Sequence, residues 1–273
     1  MSLTADFIKS LGASTALQAC ELAVEQHVRG IASPGSPLNL HAVARSMGIA
    51  IVHVDGMAWE GMIEFDAWNE TISLRKGGSL RRERFTLAHE LGHAIIRRLL
   101  RRETDSILFR GPSVDRKDVA EEERLANLLA AELLLPSCDL KTLLDFDLPV
   151  ANQVRALCRQ YQVSRIAALR RISDVFLRNF LTLEITPSRF HKLDSDAEVD
   201  DAIFITAGVS TLYARESTTL SKRIAFSDLK DVDVASIEID SPKGELHLDA
   251  EIDYSSNPIP HVYAIAHSDQ CNW

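Results

Sequence analysis

The sequence predicts an α+β protein in two parts, and three observations predict it. Apolar residues recur at helical spacing through most of the first 180 positions, a short stretch between Ile49 and Arg75 alternates like strands, and beyond Leu181 nearly every apolar run alternates. The expected division is 1–180, helices around a small sheet closed by a helical hairpin, and 181–273, an acidic β-rich domain that controls the first part or recruits a partner. A chain of 273 residues with 46% hydrophobic composition is long enough for two such cores.

The elements follow in order. Residues 13–30 and 38–47 read as a packed pair of helices, the second entered through the loop Ser33–Pro37 and stopped by Gly48. Ile49–Asp55 alternates as a strand, and Met62–Ala67 and Thr71–Arg75, separated by Trp68, Asn69 and Glu70, read as a hairpin. A helix is predicted over 81–101, a loop over 102–117, a helix over 119–135 ended by Pro136, and further helices over 137–145 and 150–180. The later runs LTLEIT, AIFITA, ASIEID, ELHLDA and HVYAIA are short strands separated by Asp, Ser, Pro and Gly.

Composition excludes several classes. The richest apolar run, Leu128–Pro136, is interrupted by Glu132 and is far shorter than the ~20 residues of a membrane span. The first residues lack a basic region followed by an apolar core and a cleavage site, so a cytoplasmic location is expected. Cys20, Cys138, Cys158 and Cys271 form no CxxC pair, which points to reduced, core-filling thiols. The net charge of -9 falls on residues 186–273, which hold 16 acids against 7 bases, so bulk attraction to nucleic acid is disfavoured.

The chemistry concentrates in RFTLAHELGHAII. His89, Glu90 and His93 stand in the order H-E-x-x-H, and four residues apart in a helix the two histidines share a face, so their imidazoles can meet one ion. That face also carries Phe85, Gly92 and Ile96, which turns the histidines inward. Gly92 costs a helix on the order of 1 kcal/mol and so signals a close neighbour. A catalytic zinc needs a third protein ligand. The metzincin arrangement requires Gly and His where this chain has Ile96 and Leu99, and is excluded.

The next helix offers Glu121, Glu122, Glu123 and Glu132. With Glu123 as origin, Ala126, Asn127, Ala130 and Leu134 lie within roughly 60° of it, a stripe of mostly small residues suited to close approach to Gly92. Glu121 and Glu132 point away, toward solvent, and Glu122 flanks the buried side as the fallback. Glu123 is therefore the expected third ligand, with Asn127 one turn on as a hydrogen-bonding partner behind the ligands. Glu90, beside a ligand but not one itself, is the expected general base for hydrolysis of a peptide bond. The preceding extended segments offer an edge for strand addition by a peptide, although the sequence leaves open which edge.

These residues resemble the ImmA/IrrE family of zinc-dependent metallopeptidases, through Arg84–His93, then Glu123, Ala126 and Asn127, and then Leu133–Pro136. The likeness extends to LNLHAVARSMGIAIVHVD and QYQVSRIAALRRI, about residues 10–180. It implies a zincin-like fold, one zinc on His89, His93 and Glu123 (manganese being the other candidate metal), and Glu90 as the catalytic residue. It also implies a role in transcription regulation and stress response, because members cleave helix-turn-helix repressors. Leu135 stands where methionine is frequent, no fused repressor-like domain precedes the motif, and the acidic tail lies outside the signature.

Two other features compete for a function. Residues 158–175 read helix, turn, helix, with Arg155, Arg159, Arg165, Arg170 and Arg171 close by. This supports an alternative, a DNA-binding or repressor-binding regulator whose metal site is structural or inactive; packing of a helical hairpin is the favoured reading, and direct DNA binding is not expected. Arg75, Lys76, Arg81, Arg82 and Arg84 before the histidine helix, and Arg97, Arg98, Arg101 and Arg102 after it, form either a rim for an acidic substrate or a solvated surface. The other histidines show no paired spacing, and no residue is selected to stabilise an oxyanion.

Overall fold

The computed structural model describes residues 2–65, 69–100 and 116–176, together with the backbone of strands at 180–187, 203–209, 234–241, 244–255 and 261–267. The expected loop over 102–117, Trp68 and Cys271 lie wholly or mostly outside the described residues. The chain divides into two compact units, residues 1–143 with 157–164, and 144–156 with 165–273.

The first unit opens with a helix that the periodicity did not single out, α1 (Leu3–Ser10). Its signals are local: the Ser2 side chain accepts from the N–H of Ala5, and Gly12 at φ 64 ends it in the left-handed region. Leu3 and Phe7, one turn apart, are its buried stripe. Helices α2 (Ala16–Val28) and α3 (Leu40–Ser46) are capped in the same way by Thr15 and Asn39, inside the ranges expected for them.

A three-stranded sheet follows, made of β1 (Ile49–Val54), β2 (Gly61–Phe65) and β3 (Glu70–Arg75) in the order β1-β3-β2. The predicted hairpin is the antiparallel pair β2 and β3, with Ile63 opposite Ile72. Strand β1 joins β3 in parallel, with Ile51 opposite Ile72. Ile49, Ile63, Phe65, Ile72 and Leu74 are buried, and β2 forms one outer edge of the sheet.

Two long helices, α4 (Leu80–Leu100) and α5 (Arg116–Leu134), pack on each other and carry the site. Leu125, Ala126, Leu129, Ala130 and Leu133 of α5 are fully enclosed, each leucine contributing about 1.5–3 kcal/mol of burial. Basic residues of α4 lock it to the sheet and to the segment leading into α3: Arg98 meets Glu70 at 2.6 Å, the Arg97 guanidinium lies 3.9 Å over the Phe65 ring, and Arg84 donates to the Leu38 carbonyl. Arg75 and Arg82 share Glu60, and Lys76 meets Asp55. Most of the basic flank is thus engaged locally, while Arg101 and Arg102 lie outside the described residues.

Helix α6 (Ser137–Leu143) begins where a predicted surface charge turns out to be buried. Glu132 is 4% exposed and accepts from both the backbone N–H and the hydroxyl of Ser137, so it caps α6 instead of facing water. Glu121, also expected to face solvent, accepts from the N–H of Thr4 at 2.9 Å and ties α5 to α1. Residues 157–164 hold to this unit because Tyr161 is fully buried and donates its hydroxyl to Asp139 at 2.7 Å.

The hairpin region is two helices, α7 (Val150–Gln160) and α8 (Arg165–Phe176), with Gln162 at φ 58 in the turn between them. Arg171 of α8 is 1% exposed and does not face solvent. The second unit also holds β4 (Phe180–Pro187), β5 (Ile203–Val209), β6 (Val234–Ser241), β7 (Gly244–Ser255) and β8 (His261–His267), in an antiparallel sheet of order β5-β4-β8-β7-β6. No described helix is long and apolar enough to cross a membrane.

Candidate metal centre

Helix α4 crosses α5 at Gly92. A Cβ on Gly92 would lie 2.9 Å from the carbonyl oxygen of Ala126, 3.1 Å from its Cα and 3.3 Å from Cβ of Leu129, so only glycine permits this approach. The close crossing brings His89 and His93, on α4, against Glu122, Glu123 and Asn127, on α5.

His89, His93 and Glu123 each offer one ligand atom, and these atoms lie within 4.8 Å of one another. The two Nε2 atoms are 3.1 Å apart. Glu123 places Oε2 3.3 Å from Nε2 of His89 and Oε1 3.6 Å from Nε2 of His93. Ligands about 2.0–2.1 Å from a tetrahedral ion stand about 3.3 Å from each other; the two Nε2 atoms are close to that spacing, while each Glu123 oxygen faces a different histidine. The outward nitrogens are also satisfied: Nδ1 of His89 meets Oδ1 of Asn127 at 3.1 Å, and Nδ1 of His93 meets Oε1 of Glu122 at 3.0 Å. Protons on both Nδ1 atoms leave both Nε2 lone pairs directed at the common point. The donor set fits a divalent ion.

The electrostatics follow from uneven burial. Hydrogen bonding to His89 holds the Glu123 carboxyl below the usual range, against a smaller opposing effect of burial and aided by the charges of His93 and His89. Burial alone would lower the pKa of His93, but the hydrogen bond and charge of Glu122, with Glu90 and Glu123, outweigh it and the sum is upward. Glu90 is 7% exposed, and its burial pushes its pKa up, with Glu123 adding to this and His93, His89 and the N–H of Ile63 pulling it back.

The second wall of the site was not legible in the sequence. Strand β2 comes so close to α4 that a Cβ on Gly61 would lie 2.2 Å from Cγ2 of Thr86 and 3.3 Å from Oε1 of Glu90. The only local sign is a glycine opening a strand. Phe85, expected inside the histidine face, is instead 41% exposed at the rim, where its ring stacks on His89 with centroids 6.1 Å apart. The histidines themselves are inward, His89 at 18% and His93 at 8% side-chain exposure. Glu122 is not part of the converging set; it stands behind His93.

Residues 44–173, from α3 to α8, match the peptidase family model described as the IrrE N-terminal-like domain. No curated protein matches the chain. Among solved structures, a Mycobacterium tuberculosis transcriptional regulator is similar at 13% identity, over 97% of this chain and 78% of that one, with a TM-score of 0.49.

Proposed function

Since residues 44–173 carry an IrrE N-terminal-like domain consistent with the ImmA/IrrE family, we propose that the chain is a metal-dependent endopeptidase whose substrate is a helix-turn-helix repressor or antitoxin-like protein. The convergence of the two Nε2 atoms and the Glu123 carboxylate carries the reading. His89, His93 and Glu123 would hold the ion, and two imidazoles with one carboxylate are the donor set of a catalytic zinc. A metal held by these three residues would supply Lewis acidity, lowering the pKa of a water and polarising the scissile carbonyl.

Glu90 accepts the proton of that water and passes it to the leaving amine. Its burial supports this role, because a carboxylate shielded from bulk water returns a proton to the substrate rather than to solvent. Strand β2 supplies the docking edge. The bond from Arg75 N–H to the carbonyl of Glu60 marks 60 and 75 as a bonded pair, so by antiparallel alternation Gly61 and Ile63 turn their backbone groups away from β3; on that outer side the Ile63 N–H already meets Glu90 and the groups of Gly61 face the edge. A substrate strand added there runs past Glu90, against which Gly61 rests.

The test is co-expression with the helix-turn-helix repressor encoded nearest to this chain, followed by mass spectrometry of the repressor. Wild type is expected to make a discrete cut, and Glu90→Gln to slow it by about 10²–10⁴-fold with the metal retained. Metal analysis finding no bound ion in the wild type would end this reading.

A further inference from the structure

Glu122 and Glu123 are neighbours on α5, yet they reach His93 at opposite ends of its ring. Glu123 lies 3.6 Å from Nε2, on the ion's side, and Glu122 lies 3.0 Å from Nδ1, behind it. Their surroundings differ as sharply. The Glu123 side chain is 53% exposed and can adjust to an incoming ion, whereas that of Glu122 is 8% exposed. Burying a carboxylate this fully is costly unless a hydrogen-bonded partner offsets it, and His93 is the partner the fold provides.

The corresponding nitrogen of His89 meets an uncharged amide, Asn127. The two histidines are therefore inequivalent donors. A carboxylate behind an imidazole makes its far nitrogen more basic than an amide does, and it adds a second negative charge, beside that of Glu123, to balance a dication.

We propose that Glu122 is the positioning residue of this centre: it accepts the Nδ1–H of His93, keeps the ring in the tautomer whose Nε2 faces the ion, and makes His93 the stronger of the two histidine ligands. This rests on the metal-bearing reading above, but not on the identity of the substrate. Neighbouring positions serve the two roles because a step of one residue turns a helix by about 100°, enough to carry one carboxylate to each side of the same ring.

The experiment is a zinc titration of the full chain against a competing chromophoric chelator, for wild type, Glu122→Gln, Glu122→Ala, Asn127→Ala and Glu123→Gln. Cobalt absorption spectra report the coordination number. Glu122→Ala is expected to weaken zinc binding roughly 10- to 100-fold, with Glu122→Gln between it and wild type because the amide still accepts the hydrogen bond. Asn127→Ala should lose less. The cobalt spectrum should keep its four-coordinate intensity in the Glu122 variants and lose it in Glu123→Gln.

Wild-type affinity in Glu122→Gln and Glu122→Ala would overturn the proposal. So would loss of the four-coordinate spectrum in Glu122→Gln, because Glu122 would then be a ligand itself. If Glu122→Ala does not fold, the near-isosteric Glu122→Gln decides. Wild type that binds zinc but cleaves no repressor defeats the substrate assignment and leaves this inference standing, whereas wild type that binds no metal defeats both.

Discussion

Helix α4 makes two contacts too close for a side chain, and they differ in kind. At the α5 crossing, Gly92 faces the backbone of Ala126 within a seam of fully buried leucine and alanine side chains. At the β2 edge, Gly61 faces Thr86 and Glu90, beside the half-exposed Phe85. The first contact is closed and brings the ligand-bearing helices together. The second lies at the outer strand of the sheet, against Glu90. A helix seam resists change because both partners are backbone, while an edge strand can shift, so disturbance at the seam should appear as lost stability and disturbance at the edge as lost rate.

Gly92→Leu should have the largest effect. Its side chain must part α4 from α5, and a fall of about 3 kcal/mol in unfolding free energy is expected in urea titration, with loss of metal binding. Wild-type stability in that variant would show that the helices separate freely and would erase the contrast between the two sites.

Gly61→Ala comes next and should act on the other quantity. With a methyl group pressed on Thr86 and near Glu90, kcat/KM is expected to fall roughly tenfold to hundredfold while zinc affinity stays at the wild-type value. Adding Thr86→Ser removes the Cγ2 atom that the new Cβ would meet, and should restore most of the activity. If metal binding falls with activity, β2 supports the ligands as well and the two contacts are not separable.

Phe85→Ala should sharpen the comparison further. Because the ring is 41% exposed, its removal should change stability by no more than about 0.5 kcal/mol, measured by thermal melting. Any effect should fall on KM through the lost apolar rim, and a large drop in melting temperature would move Phe85 into the core side of the site.

The smallest expected effect belongs to Glu121, on the closed side. The N–H of Thr4 is the main cause that holds its carboxyl below the usual glutamate value. The folded form thus prefers the ionised group, so the contribution is complete above the ordinary glutamate pKa and disappears as pH falls through the lowered one. The difference in melting temperature between wild type and Glu121→Gln should therefore be present at pH 7 and vanish toward pH 3. A difference that persists unchanged at pH 3 would show that the carboxylate charge is not what joins α1 to α5.

What was legible in the amino-acid sequence was what repeats at helical spacing. The 3.6-residue period located α4 and α5, put His89 and His93 on one face, and set Ala126 of the expected stripe against Gly92, with Leu129 beside it in place of Asn127 and Ala130, because each of these depends on spacing within one helix. The hairpin of β2 and β3 was legible for the same reason, as alternation around a short turn. Helix α1 was missed although its signals, Ser2 and Gly12, were present, because eight residues give a weak period.

Other features were decided only by the tertiary structure. The period turned Glu132 outward, but the sharp turn into α6 brought Ser137 to it and made burial favourable. Helical angle favoured Glu123 and kept Glu122 as the fallback; only packing against His93 put one carboxylate near Nε2 and the other at Nδ1. The approach of Gly61 to Glu90 depends on sheet order and strand register, which join residues 29 positions apart and leave no period along the chain. Local geometry follows from neighbours in sequence, whereas the partner of a buried charge is set by whichever distant segment packs against it.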